Sequence, residues 1–143
     1  MYDAISISKY VINACIEKGK PISNLQLQKI LYYIQGYFYK NFGIFAFDEE
    51  IIAWKLGPVV LEAYYEYNHY IADPIIDRPE NNELPNLSVR HKVVIDDVIE
   101  KKIEKTAWQL VKDTHNESPW KETMKVHGIN AVIDKELIAE FFN

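Results

Sequence analysis

The chain is poor in several things that particular chemistries require. It has one cysteine, Cys15, so no internal disulfide can form, and no metal-ligand spacing surrounds it. Among apolar neighbours that thiol reads as a small buried hydrophobe, not a nucleophile. Five glycines are scattered singly, which excludes a phosphate-cradling loop and a Gly-x-Ser-x-Gly elbow. The four histidines, His69, His91, His115 and His127, never fall at i, i+4, which removes a helical zinc pair. Glu49-Glu50 and Asp96-Asp97 are adjacent carboxylates, and adjacent residues do not share a face. No run approaches the roughly 18–20 apolar residues that span a bilayer, and Met1-Tyr2-Asp3-Ala4-Ile5-Ser6 has neither the charge nor the apolar stretch of a leader. Basic clusters are missing as well. The net charge is −5, and the densest charged run, residues 100–105, alternates in sign like a solvated helix face. The expectation is a cytoplasmic non-enzyme with no catalytic residue, cofactor, metal, membrane or nucleic-acid partner.

What the chain does have is an ordinary globular balance. Its 143 residues suit a single domain spanning 1–143, and 48% hydrophobic against 26% charged residues excludes a disordered class. Aromatics reach 13%, ten of them tyrosines, enough for a sizeable core in a small domain. Apolar periodicity predicts a first helix over 3–18, stopped by Gly19-Lys20-Pro21. Ser23 and Gln26 form a capping box for a second helix, about 24–42, that is apolar most of the way round and ends at Gly43. Ile44-Phe45-Ala46-Phe47 and Ile51-Ile52-Ala53-Trp54-Lys55 predict a small β-hairpin over about 44–55. Gly57-Pro58 is read as opening a third helix, and the breaker-rich stretch 73–86 as a surface loop. Ser88 caps a fourth helix, residues 106–112 read as helical with Ala107, Trp108 and Val111 on one side, and Pro119 and Asp134 start two more. The fold class is therefore mainly α, a compact single-domain helical bundle around the central helix with one small hairpin.

One run carries chemical potential. In Thr114-His115-Asn116-Glu117, His115 beside Glu117 is a candidate proton-transfer pair, while the competing reading has Thr114 and His115 tying off helix ends before Pro119. The tyrosines suggest binding instead. Tyr32, Tyr33, Tyr37, Tyr39, Tyr64, Tyr65, Tyr67 and Tyr70 crowd two helices that cannot bury every ring, so a minority is expected on an exposed patch.

Three blocks in order resemble a known family. Leu25-Gln26-Leu27-Gln28-Lys29-Ile30-Leu31-Tyr32-Tyr33, then Ala53-Trp54-Lys55-Leu56-Gly57-Pro58-Val59-Val60 with Tyr64, then Thr114-His115 and Pro119-Trp120-Lys121 are similar to the Panacea antitoxin domain, also described as SocA-like or phage-associated GepA-like. The resemblance implies an antitoxin that neutralises a cognate toxin protein by direct binding in a type II-like toxin–antitoxin system. Alternatives it also implies are an adaptor delivering a toxin or other client to a protease, and a phage or prophage accessory protein binding a host factor. Gln28 and Lys29 match the polar part of the first block, Trp54, Gly57 and Pro58 the middle one, and His115 and Trp120 the last. With their neighbours, the candidate protein-binding residues are Tyr32, Tyr33, Trp54, Lys55, Gly57, Pro58, Tyr64, His115 and Trp120.

Overall fold

Local capping signals place most of the elements. In the computed structural model, which describes residues 1–143, the order is α1 (Ala4–Glu17), α2 (Asn24–Phe42), β1 (Ile52–Trp54), β2 (Gly57–Val59), α3 (Leu61–Tyr67), α4 (Val89–Lys102), α5 (Ala107–His115), α6 (Ser118–Val126) and α7 (Lys135–Phe142). Asp3, Ser23, Ser88, Thr106 and Asp134 each accept a hydrogen bond from a first-turn N–H, so five of the seven helices start on a side-chain cap. At Ser23 the box is complete, because the Gln26 side chain accepts from the Ser23 N–H in return. Gly43, at φ 69°, closes the same helix in the left-handed conformation. The protein is mainly helical, with one two-stranded antiparallel hairpin, and no helix is long and apolar enough to cross a membrane.

Helix α2 is the spine. It packs against α1, α3, α4, α5, α7 and β2, and twelve of its residues are buried, among them the polar Gln28, Lys29 and Gln35. Helix α7 closes one side by seating Phe142 against Gly36. A Cβ added to Gly36 would lie 2.2 Å from Phe142 Cδ2, so the missing side chain is the seat for the ring. Tyr32, Tyr33 and Tyr37 meet that ring edge-on at 5.1–6.0 Å between centroids, a favoured geometry for aromatic pairs.

The hairpin exists but sits later than the expected 44–55. Its register pairs Ile52 with Val59, Ala53 with Pro58 and Trp54 with Gly57. The β-prone run Ile44–Phe47 does not form its first strand. Buried Gln35 takes that role from the helix side: its Oε1 accepts from Ala46 N–H and Phe47 N–H, and its Nε2 donates to the Phe47 carbonyl. With these backbone groups satisfied, the segment needs no strand partner beyond a one-residue bridge to Tyr2. Gly57-Pro58 likewise forms strand β2 and not the start of a helix. Gly57 has φ 110°, outside the helical region, and Pro58 occupies a strand edge where an N–H is not needed. Helix α3 begins only at Leu61.

The 73–86 stretch is a loop, as expected, and it is tied down. Ile75 is buried and donates its N–H to the Ile22 carbonyl at 2.8 Å, while Arg78 pairs with Glu17 and Lys9 with Glu83.

Candidate functional site

The three motif blocks converge on the hairpin. From α2, Lys29 Nζ donates to the Pro58 carbonyl at 2.8 Å and Gln28 Oε1 accepts from Val60 N–H at 2.9 Å. From α5, His115 Nε2 lies 3.0 Å from the Lys55 carbonyl oxygen. From α6, the Trp120 indole N–H donates to the Trp54 carbonyl at 2.7 Å. His115 and Trp120 stack on each other, centroids 4.0 Å apart and planes 17° from parallel, so the two straps brace one another. An isolated hairpin of this size is marginal in water; four side chains from three helices fix this one.

Behind the hairpin the packing is close. Lys29 is wholly buried, and removal from water pushes its ammonium down to about 7. A Cβ on Gly57 would stand 2.7 Å from Thr114 Oγ1 and 2.8 Å from Lys29 Cε. Glycine is required there twice over, by its φ and by the close approach of these two side chains.

Two expected contact residues lie inside. Tyr32 and Tyr33 are 0% and 2% exposed, and their hydroxyls donate to Glu117 Oε1 and Oε2 at 2.9 and 2.6 Å. Burial, then the Glu117 charge and its hydrogen bonds, push both phenols well up. Burial also raises the Glu117 carboxyl against the lowering effect of the two hydroxyls. The reason for their burial is helical spacing: α2 is covered nearly all round, so neighbouring rings cannot escape to the surface. Gly57 and Pro58 are buried as well, Trp54, Tyr64, His115 and Trp120 are half-buried, and Lys55 is exposed. His115 and Glu117 take different partners. The first is held by Lys55 and Trp120, the second by the two tyrosines. The tie to free helix ends takes another form: Thr114 donates its hydroxyl to the Val111 carbonyl within α5 at 3.0 Å, and His115 reaches the hairpin carbonyl of Lys55. No group of three or more His, Cys, Asp or Glu side chains is placed to hold a metal ion.

Beside the strapped hairpin lies an open groove of about 820 Å³, lined by Trp54, Leu56, Tyr64, Ile71, Trp108 and Ile129 among others. Trp54 and Tyr64 meet edge-on at 4.8 Å and form one wall. Trp108 is 66% exposed and Ile71 83%. The sequence groups Ala107, Trp108 and Val111 on one side of this helix; the buried face is Leu110, Val111 and Thr114. The signal was available in the register, since Trp108, Lys112 and His115 fall on one stripe and the buried three on another.

The family model for the SocA-like antitoxin, Panacea domain, matches residues 27–121, a span that includes all four straps and both strands. No curated protein and no solved structure matches the chain.

Proposed function

We propose that this chain, which belongs to the SocA-like antitoxin, Panacea domain family, neutralises a cognate toxin by binding it directly. It would act in the cytoplasm, as one domain, without catalysis, in a type II-like toxin–antitoxin pair. The observation that carries this reading is the strapped hairpin with the open apolar groove beside it. An exposed tryptophan, an exposed isoleucine and a Trp–Tyr wall are costly to leave in water, and such patches mark protein interfaces. Tryptophan and tyrosine are also the residues that dominate interface energetics. In this reading the motif residues divide by role. Trp54, Lys55 and Tyr64, joined by Leu56 and Trp108, touch the toxin. Tyr32, Tyr33, Gly57, Pro58, His115 and Trp120 hold that surface in place.

The test is co-expression with the adjacent gene. The neighbour alone should arrest growth, this chain should restore it, and the two products should co-purify. A neighbour that is harmless, or toxic but never recovered with this chain, overturns the proposal.

A further inference from the structure

Both edges of the hairpin are closed. On β1, Ala53 N–H donates to the Ala131 carbonyl and Asn130 N–H to the Ala53 carbonyl, each at 2.8 Å. On β2, Pro58 has no N–H, its carbonyl takes Lys29, and Val60 N–H goes to Gln28. An incoming strand finds no free ladder to join. A partner therefore docks on this face through its side chains.

The two sides of α3 specify which side chains. On one side Tyr64 lines the large apolar groove. On the other lies a smaller groove of about 320 Å³ whose lining includes Asp48, Glu50, Glu62 and Tyr65. Tyr64 and Tyr65 are in edge-on contact, centroids 5.4 Å apart, so one ridge of two rings separates the grooves. Tyr65 is 61% exposed. Glu62 and Glu66 are exposed one helical turn apart, flanking it.

Charge sharpens the asymmetry. Residues 44–66 hold five carboxylates (Asp48, Glu49, Glu50, Glu62 and Glu66) and one cation, Lys55, a net of −4 in a chain of net −5. None of the five pairs with a lysine or arginine in the fold. The larger groove has no carboxylate in its lining, and its one charged residue is Lys55, at the hairpin tip. A partner filling that groove and crossing the tyrosine ridge meets the carboxylates that line the smaller groove beyond it.

We infer that this face takes a segment of the partner protein in which lysine or arginine flanks large apolar side chains. The apolar anchors enter between Trp54, Tyr64 and Trp108. The cations cross the exposed face of Tyr65, whose ring attracts them, and reach Glu62, Glu66 and Glu50. Lys55 at the far end disfavours the reverse orientation. Naming that segment as part of the toxin rests on the antitoxin reading; the surface and its chemistry do not.

The experiment uses the full chain and two synthetic helical peptides, one of leucine and lysine, the other of leucine and glutamate, followed by fluorescence anisotropy. The leucine–lysine peptide should bind saturably, about tenfold or more tighter than the other, and more weakly as salt rises. Combined Glu62→Lys and Glu66→Lys should cost about tenfold, and so should Trp108→Ala, whereas Glu100→Lys on α4 should leave binding unchanged. Circular dichroism checks each fold; if charge reversal lowers helicity, Glu62→Gln with Glu66→Gln is expected to show a smaller loss in the same direction. Equal binding of the two peptides, no saturable binding, or a loss no greater than that of Glu100→Lys overturns the inference. A second arm uses the adjacent gene's product. If it does not bind the unmodified chain, the antitoxin reading falls and the peptide result stands by itself. If it binds and tolerates the charge reversal, the surface assignment falls and the antitoxin reading stands.

Discussion

Replacing Lys29 by methionine is expected to stabilise the protein at neutral pH and to remove one limb of its pH profile. Lys29 is wholly buried, Pro58 supplies its one hydrogen bond, and burial lowers its ammonium from 10.5 to about 7. That gap corresponds to about 5 kcal/mol between the charged and neutral forms. Below about pH 7 the side chain is charged in both states and the fold bears the whole penalty. Between about 7 and 10.5 the unfolded chain holds a proton that the folded one has lost, so stability rises with pH by up to about 1.4 kcal/mol per unit. At pH 7 the penalty is still about 4 kcal/mol. Methionine removes it but leaves the Pro58 carbonyl without its donor, at a cost of about 1–3 kcal/mol. The net expectation at pH 7 is a gain of about 1–3 kcal/mol. The assay is urea denaturation of both proteins across this range, read as the difference between them. The difference matters because buried Cys15, raised from 9.0 to about 12, titrates with the opposite sign: the unfolded thiol loses its proton first, and stability falls above pH 9 in both proteins. Parallel profiles, or a variant less stable at pH 7, would refute the reasoning.

Other substitutions probe the remaining straps and seats. Gly57→Ala should cost about 2–4 kcal/mol in chemical denaturation, because alanine there is strained by φ and collides with Thr114 and Lys29. Gly36→Ala should lose about 1–3 kcal/mol by overpacking, despite a gain of about 0.5–1 kcal/mol in helix propensity; combining it with Phe142→Ala should cost less than the sum of the two. Trp120→Phe removes the 2.7 Å bond to the Trp54 carbonyl and should cost about 1–3 kcal/mol, with faster amide exchange confined to the hairpin region. His115→Ala should cost about 1 kcal/mol in chemical denaturation with the overall fold intact, since its ring contributes a stack and one contact to the Lys55 carbonyl; unchanged stability with unchanged amide exchange in the hairpin would refute its role as a strap.

Much of the helical frame was legible because its signals are local. Ser23 with Gln26, Ser88, Asp134 and Gly43 each act within one turn of chain, and the structure uses each where the sequence puts it. The hairpin was misplaced because its determinants are distant. Nothing near Ile44–Phe47 says that Gln35 will satisfy its backbone, and nothing near Gly57 says that Lys29 and Thr114 will press against it. Lys29 itself reads as a surface residue in any one-dimensional scan, and its burial follows only from the fit of β2 against α2. Of the candidate contacts, Tyr32 and Tyr33 lie inside because α2 is buried without a break over residues 27–36, which leaves that stretch no exposed stripe. Trp108 is apolar yet exposed, because register and not hydrophobicity decides which stripe of α5 faces the core.

The straps have a shared property that bears on what the hairpin can present. Each runs from a side chain to a backbone atom of the hairpin or its exit: Lys29 to the Pro58 carbonyl, Gln28 to Val60 N–H, His115 to the Lys55 carbonyl and Trp120 to the Trp54 carbonyl. Backbone atoms are the same whatever residue bears them. The tip side chains at 55 and 56, both exposed, carry none of the load that holds the hairpin in place. They and the outward face of α3 can change identity without loosening a strap, whereas Gly57, pressed on Thr114 and Lys29, cannot. Placement of the hairpin is thereby separated from what it presents. Most of the motif residues, Gln28, Lys29, Gly57, His115 and Trp120 among them, hold the hairpin in place; under the proposed function, partner choice falls to Trp54, Lys55 and Tyr64 and to neighbours outside the motif.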